Sequence, residues 1–188
     1  MPQPQLLEKV IRVLENNQID YMITGSTVSS LQGEPRATHD IDIVVVIKQP
    51  AVAALIKEFP SPHYYLSEEA VRNAIHQKGM FNLLDTTEGD KVDFWLLTDD
   101  AFDVSRFARK YEEDAFGFKM KVTAAEDTIL SKLRWAKLSG GSEKQFKDAL
   151  RVYELQYALL DKGYLEKWAL ELNVLDLYER IKQEANPV

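Results

Sequence analysis

Tyr21-Met22-Ile23-Thr24-Gly25-Ser26, then thirteen residues, then Asp40-Ile41-Asp42-Ile43-Val44-Val45-Val46-Ile47 is the stretch on which the reading of this chain turns. The first segment is a short apolar run stopped by Thr-Gly-Ser and reads as a buried strand. A short helix follows, ending near Gly33, and Pro35 punctuates the loop. The second segment is β-branched, continuous and too short for a helix, so it is a strand. Asp40 and Asp42 stand two residues apart on it and project from the same face. Two carboxylates side by side repel each other, and burial adds a desolvation cost. A divalent cation removes both problems, and magnesium commonly takes one or two carboxylates together with substrate phosphates. Gly25 allows the backbone to approach a phosphate closely. The helix N-terminus and the Ser26 hydroxyl offer donors to it.

The next signal outward is Lys91-Val92-Asp93-Phe94-Trp95-Leu96-Leu97, which places an acid inside an apolar strand. An isolated charge there is expensive, so Asp93 needs a partner. In a two-metal site it would share a cation and accept the proton of an attacking hydroxyl. A strand from Phe81 to Asp85 precedes it, and Thr86-Thr87-Glu88-Gly89-Asp90 reads as the hairpin between the two. Leu6, Leu7, Val10, Ile11 and Leu14 recur at helical spacing and predict an amphipathic helix over 4–17. Further helices are expected over 51–59, behind Pro50, over 68–77, capped by Ser67, and over 100–108. Phe118, Met120 and Val122 alternate with lysines and suit an exposed strand. From Thr123 the chain reads as helical, with capping boxes at Thr123–Glu126 and Ser142–Gln145. Gly140-Gly141 separates its first helix from a second that runs to about Leu160, and Gly163 and Asn173 mark later breaks. The expected plan is a mixed α/β core over 1–122 and a C-terminal helical region over 123–188 packed on it.

Composition narrows the chemistry. With 188 residues, 45% of them hydrophobic, the chain can bury a real core. The absence of cysteine excludes disulfides, thiolate metal sites and cysteine nucleophiles. The N-terminus lacks the character of a signal peptide, and no apolar run is long enough to span a bilayer, so a soluble cytoplasmic protein without membrane contact is expected. A net charge of −7 argues against broad electrostatic binding to nucleic acid and leaves room for a local basic pocket.

The apolar strand, Gly-Ser, short helix and Asp-x-Asp of residues 21–45 resemble the signature of the DNA polymerase beta-like nucleotidyltransferase superfamily. Asp93, on a strand after a hairpin, matches the third acid of that superfamily. Gly33-Glu34-Pro35-Arg36-Ala37-Thr38-His39-Asp40 is similar to the minimal nucleotidyltransferases and to the toxin half of the abortive-infection (AbiEii-like) systems. Ala125-Glu126-Asp127-Thr128-Ile129-Leu130-Ser131-Lys132 and the pair Lys144 and Asp148 resemble the tail of the abortive-infection group. The resemblance implies a mixed β-sheet flanked by helices and transfer of a nucleoside monophosphate from a triphosphate to a hydroxyl acceptor. Asp40, Asp42 and Asp93 would be the catalytic acids and ligands of two magnesium ions. Gly25, Ser26, Arg36, Thr38, Lys132 and Lys144 would bind the nucleotide. The acceptor it implies is a tRNA or other RNA end, a protein or a small molecule such as an aminoglycoside, and a toxin would have an antitoxin partner.

Plainer readings stand beside these. Asp93 could sit in a structural bridge, Lys132 could extend along its stem to solvent, and Lys144–Asp148 has the spacing of a surface helix pair. Arg36 and Thr38 could simply shape their loop, and Trp95, Trp135 and Trp168 read as core or interface residues. The rival function is a non-catalytic module that binds nucleotide, metal or a protein partner on the same fold. Phosphohydrolase chemistry on the same acids is a third reading, disfavoured by the lack of a histidine cluster.

Overall fold

Period-two alternation builds the sheet and the 3.6-residue period builds its helices. The computed structural model describes residues 4–35 and 40–187. In chain order the elements are α1 (Pro4–Asn16), β1 (Asp20–Thr24), α2 (Gly25–Gln32), β2 (Asp40–Val46), α3 (Val52–Glu58), β3 (Tyr64–Tyr65), α4 (Glu68–Gln77), β4 (Met80–Asp85) and β5 (Lys91–Leu96). There follow α5 (Ala101–Ala108), β6 (Tyr111–Ala115), β7 (Phe118–Val122), α6 (Ala125–Leu138), α7 (Glu143–Gln156), α8 (Lys162–Glu171) and α9 (Leu175–Glu184). The chain divides into two compact units, Met1–Thr27 with Ala37–Val122, and Val28–Arg36 with Thr123–Val188.

The first unit holds a seven-stranded sheet in the order β3-β4-β5-β2-β1-β7-β6. β1 and β2 run antiparallel, β2 and β5 parallel, and β4 and β5 antiparallel. Ile41, Ile43 and Val45 of β2, Val92, Phe94 and Leu96 of β5 and Tyr21 and Ile23 of β1 lie on one face and are buried. Phe81 stacks on its cross-strand partner Phe94 there, with ring centroids 4.8 Å apart. The residues that the spacing predicts, Leu6, Leu7, Val10, Ile11 and Leu14, are all buried in α1, together with Val13. Ser67 caps α4 by accepting from the Ala70 amide at 3.2 Å.

Two strands lack an alternating apolar signal. β3 is only two residues long, and β6, Tyr111-Glu112-Glu113-Asp114-Ala115, is an acidic edge strand held to β7 by a turn at Phe116-Gly117, both at positive φ. Charge on an edge strand discourages pairing with another chain. The expected helix over 51–59 begins at Val52, after a 3-10 turn over Gln49–Ala51 that contains Pro50.

The second unit contains α6 to α9 and the part of α2 from Val28. Gly33 must be glycine there: a Cβ would lie 2.8 Å from the Ser29 carbonyl oxygen and 3.0 Å from Val152. Gln32 Nε2 donates to the Thr123 carbonyl at 2.7 Å, and Gln156 Nε2 donates to the Gln32 carbonyl at 2.9 Å. Gly140 and Gly141, both at positive φ, end α6. The capping box expected at Thr123 does not form. The N-cap is Ala124, and Glu126 instead accepts from the Asp161 amide at 2.8 Å. Ser142 is the N-cap of α7 without a side-chain bond. α7 stops at Gln156, short of Leu160, and Gly163 lies inside the first turn of α8, where Asp161 is the cap. Asn173, at positive φ, does separate α8 from α9. Among the described residues no helix is long and apolar enough to cross a membrane.

Candidate active site

The face of the sheet opposite the buried stripe carries the acids. Register pairs Thr24 with Asp42 across β1 and β2, Asp42 with Asp93 and Asp40 with Lys91 across β2 and β5, and Asn82 with Asp93 across β4 and β5. Side chains of one parity share a face, so Asp40, Asp42, Lys91, Asp93 and Asn82 form one contiguous polar patch. Towards the other end of these strands the same face becomes apolar, where Met22, Val44 and Phe107 of α5 cluster with Trp95 and Leu97.

Gly25 sits where β1 turns into α2, at φ 69°. A Cβ built on it would lie 2.1 Å from Asp42 Oδ2 and 2.8 Å from Asp42 Cγ. The Asp42 carboxylate therefore lies directly against the strand–helix turn, in space that only glycine leaves open. Ser26 follows in the first turn of α2, at the positive end of the helix dipole. Gly25, Ser26 and Asp42 are thus brought together although thirteen residues separate Ser26 from Asp40.

Each acid is held differently. Asp42 Oδ1 accepts from the indole Nε1 of Trp95 at 3.3 Å. Asp93 is buried, with one carboxylate oxygen accepting from the Asn82 amide and the other from Lys91 Nζ at 2.9 Å. Asp40 is largely exposed and lies 3.6 Å from the same Lys91 ammonium. The Lys91 amine is held above the ordinary lysine range, chiefly by its bond to Asp93 and against the opposing effect of burial.

Among the described residues, no three acidic or histidine side chains are gathered tightly enough to hold a metal ion as they stand. The chemistry of the donor set nevertheless suits magnesium: hard carboxylate oxygens on one sheet face, with a cation already drawn to two of them.

Lys132 and Lys144 belong to the helical unit. Lys132 is buried in α6 and pairs with Asp148 of α7 at 2.8 Å, with side-chain exposures of 5% and 11%. It does not extend to solvent, and the Asp148 carboxylate that sequence spacing offers to Lys144 is taken by Lys132. Lys144 is exposed, lining a cleft of about 590 Å³ with Lys147, Arg151, Glu34 and Glu184. Arg36 and Thr38, also expected at the nucleotide, lie outside the described residues. Lys119 and Lys121 of β7 are engaged by Glu112 at 2.7 Å and Asp20 at 3.1 Å. Trp168 is buried, while Trp135 is half exposed.

The sequence alone assigned neither Lys91 nor Asn82 to the site, and Trp95 read there as a core or interface residue. The signal was there for two of them: Lys91, Asp93 and Trp95 alternate along β5, so whatever face holds the acid holds all three. Asn82 is visible only through the β4–β5 register.

No family model and no curated protein sequence matches the chain. Solved structures do. The antibiotic-resistance factor ANT(2'')-Ia is 14% identical, over 95% of this chain and 94% of its own, with a TM-score of 0.61. A nucleotidyltransferase-like antigenic protein from Paracoccidioides brasiliensis is 17% identical over 97% and 93%, with a TM-score of 0.55. The lincosamide antibiotic adenylyltransferase LnuA, bound to lincomycin, is 16% identical over 80% and 96%, with a TM-score of 0.54. At these identities the likeness is one of architecture: this chain has the mixed α/β fold of the nucleotidyltransferases.

Proposed function

We propose that the chain is a nucleotidyltransferase, moving a nucleoside monophosphate from a triphosphate to a hydroxyl acceptor. The observation that carries this reading is the Asp42 carboxylate lying on Gly25 at the strand–helix turn, with Asp93 beside it in register. It supports the reading because carboxylates able to ligate a metal stand next to a helix start whose amides are able to bind phosphate.

Magnesium held by Asp40, Asp42 and Asp93 would supply charge neutralisation at the triphosphate. The first turn of α2 and the Ser26 hydroxyl donate to phosphate oxygens. Trp95 fixes the orientation of Asp42 through its indole N–H. Asp93, oriented by Asn82 on one oxygen and Lys91 on the other, accepts the proton of the acceptor hydroxyl. The acceptor oxygen bonds to the α-phosphorus as the bond from that phosphorus to the bridging oxygen breaks, and pyrophosphate leaves. The rate gain comes from positioning and electrostatics. Residues 1–122 are proposed as the transferase core and 123–188 as its helical region. Phosphate contacts from Lys132, Lys144, Arg36 and Thr38 rest on the family resemblance alone.

A small-molecule hydroxyl is the favoured acceptor. ANT(2'')-Ia has been solved with adenylyl-2''-tobramycin and LnuA is a lincosamide adenylyltransferase, and a chain of net charge −7 is a poor general RNA binder. The AbiEii-like toxin reading, with RNA or protein as acceptor in the cytoplasm, predicts growth inhibition on expression and co-purification with an antitoxin. One observation favours a second reading: with Lys91 seated among the acids, a protein that never released it would bind nucleotide without transferring it.

The test is label transfer from each α-labelled ribonucleotide with magnesium, against aminoglycosides, lincosamides, RNA and protein. Asp42→Asn should lower transfer by roughly 10⁴-fold or more, as for members of a catalytic unit, while the protein stays folded. Full activity in that variant would sink the reading.

A further inference from the structure

We propose that Lys91 is a built-in counter-ion of the acid cluster, holding Asp40 and Asp93 together in the metal-free protein and giving up that place when a divalent cation binds. This role presupposes the nucleotidyltransferase reading of the same acids and adds to it a residue that sets metal affinity.

Lys91 lies two residues before Asp93 on β5 and opposite Asp40 on β2, so strand geometry directs all three side chains to one face. Its ammonium is 2.9 Å from Asp93 Oδ2 and 3.6 Å from Asp40 Oδ1. An ammonium at those distances and a divalent cation on the same oxygens would repel strongly, so both cannot hold them at once. The two are unequally anchored. Asp93 has a side-chain exposure of 11% and is also held by Asn82, whereas Lys91 is 39% exposed on a flexible four-carbon stem. Lys91 is therefore the group free to leave, and Asp93 keeps its orientation through Asn82 when it does. Among the described residues the patch carries three carboxylates and one ammonium, and these charges sum to a net negative that would attract a metal. The resident lysine would lower metal affinity and offset the repulsion between the neighbouring carboxylates.

The experiment is manganese(II) binding to the full chain, read from the paramagnetic resonance signal of the free ion. Lys91→Met should bind about tenfold more tightly than wild type, because one cation no longer competes for the acids. Lys91→Arg keeps the charge and should bind no more tightly than wild type. Unchanged or weaker binding by Lys91→Met, with binding abolished in Asp42→Asn, overturns the counter-ion role and leaves the metal-site reading standing. Wild-type binding in Asp42→Asn overturns both. A second readout needs no variant: acetylation of Lys91 in the wild type, quantified by mass spectrometry against exposed Lys119, should rise severalfold on adding manganese alone. No rise, or protection, overturns the proposal.

Discussion

Two lysine–aspartate pairs of nearly equal length, Lys91–Asp93 at 2.9 Å in the sheet unit and Lys132–Asp148 at 2.8 Å in the helical unit, differ in what surrounds them. Lys132 is enclosed by its helices, with its partner almost as deeply buried. Lys91 stands at the edge of its patch, shared between two acids and open to solvent on one side. Distance alone would rank the two pairs together. Burial separates them, because an enclosed pair cannot be dissolved by water and must be kept or lost as a unit. A pair whose lysine is open to solvent can exchange that lysine at smaller cost. The first arrangement suits a structural tie between α6 and α7, the second a site that trades one cation for another.

Substitution at the enclosed pair should have the largest effect on stability. Lys132→Met leaves Asp148 buried without its ammonium and should cost about 3–5 kcal/mol in denaturant unfolding. The matching Lys91→Met leaves Asp93 equally buried but still bonded to Asn82, and should cost less, about 1–2 kcal/mol. Similar losses from the two variants would break the contrast. So would a folded, stable Lys132→Met with a raised KM for the triphosphate, which would show Lys132 to be available to ligand after all.

Gly25→Ala comes next. It places a methyl group in the space of the Asp42 carboxylate and an L-residue at positive φ, so about 2–4 kcal/mol of stability should be lost. Transfer should fall with it, because Asp42 must move. Wild-type activity in this variant would detach the glycine from the acid site.

Trp95→Phe tests how firmly the acid side is built. The indole bond to Asp42 disappears while the ring stays, and kcat should drop about tenfold with stability changed by about 1 kcal/mol. An equal fall in stability and no change in kcat would make Trp95 a packing residue only.

The smallest effect is expected at Asp20, whose carboxylate binds Lys110 at 3.0 Å and Lys121 at 3.1 Å. Burial pushes its pKa up, but the bonds from the two lysines outweigh that and hold it below the ordinary carboxylate value of 3.8. A lowered pKa in the folded state stabilises at pH values above the unfolded value, and that contribution is lost as the pH falls through the folded one. Wild type should therefore exceed Asp20→Asn by about 0.5–1 kcal/mol at neutral pH, discounted for exposure, and the gap should close below pH 3.8. A gap that persists in acid would point to packing instead of charge.

Much of this fold was legible because it rests on local rules. β2 and β5 declare themselves by β-branched, apolar runs, α1 by its repeating leucines, and the hairpin between β4 and β5 by Gly89. What failed was equally local in cause. β6 is acidic at its three central positions and shows no apolar alternation, and β3 is too short for any pattern. Thr123 and Glu126 have the spacing of a capping box, but Glu126 has a better partner in the Asp161 amide, thirty-five residues away.

The chain's own order of residues was enough to put Asp40 with Asp42 and Lys91 with Asp93, because a strand turns alternate side chains to one face whatever surrounds it. It was also enough to set Gly25 and Ser26 at the mouth of a helix. Joining these groups was beyond it. Asp42 meets Asp93 because β2 pairs with β5 in parallel and in one register, and it meets Gly25 because β1 runs beside β2. Asn82, Trp95 and the double engagement of Lys91 depend on the same pairings. Lys132 is buried against Asp148 only through the packing of α6 on α7. Hydrogen-bonded register and burial act between residues far apart in the chain, and no local spacing encodes them.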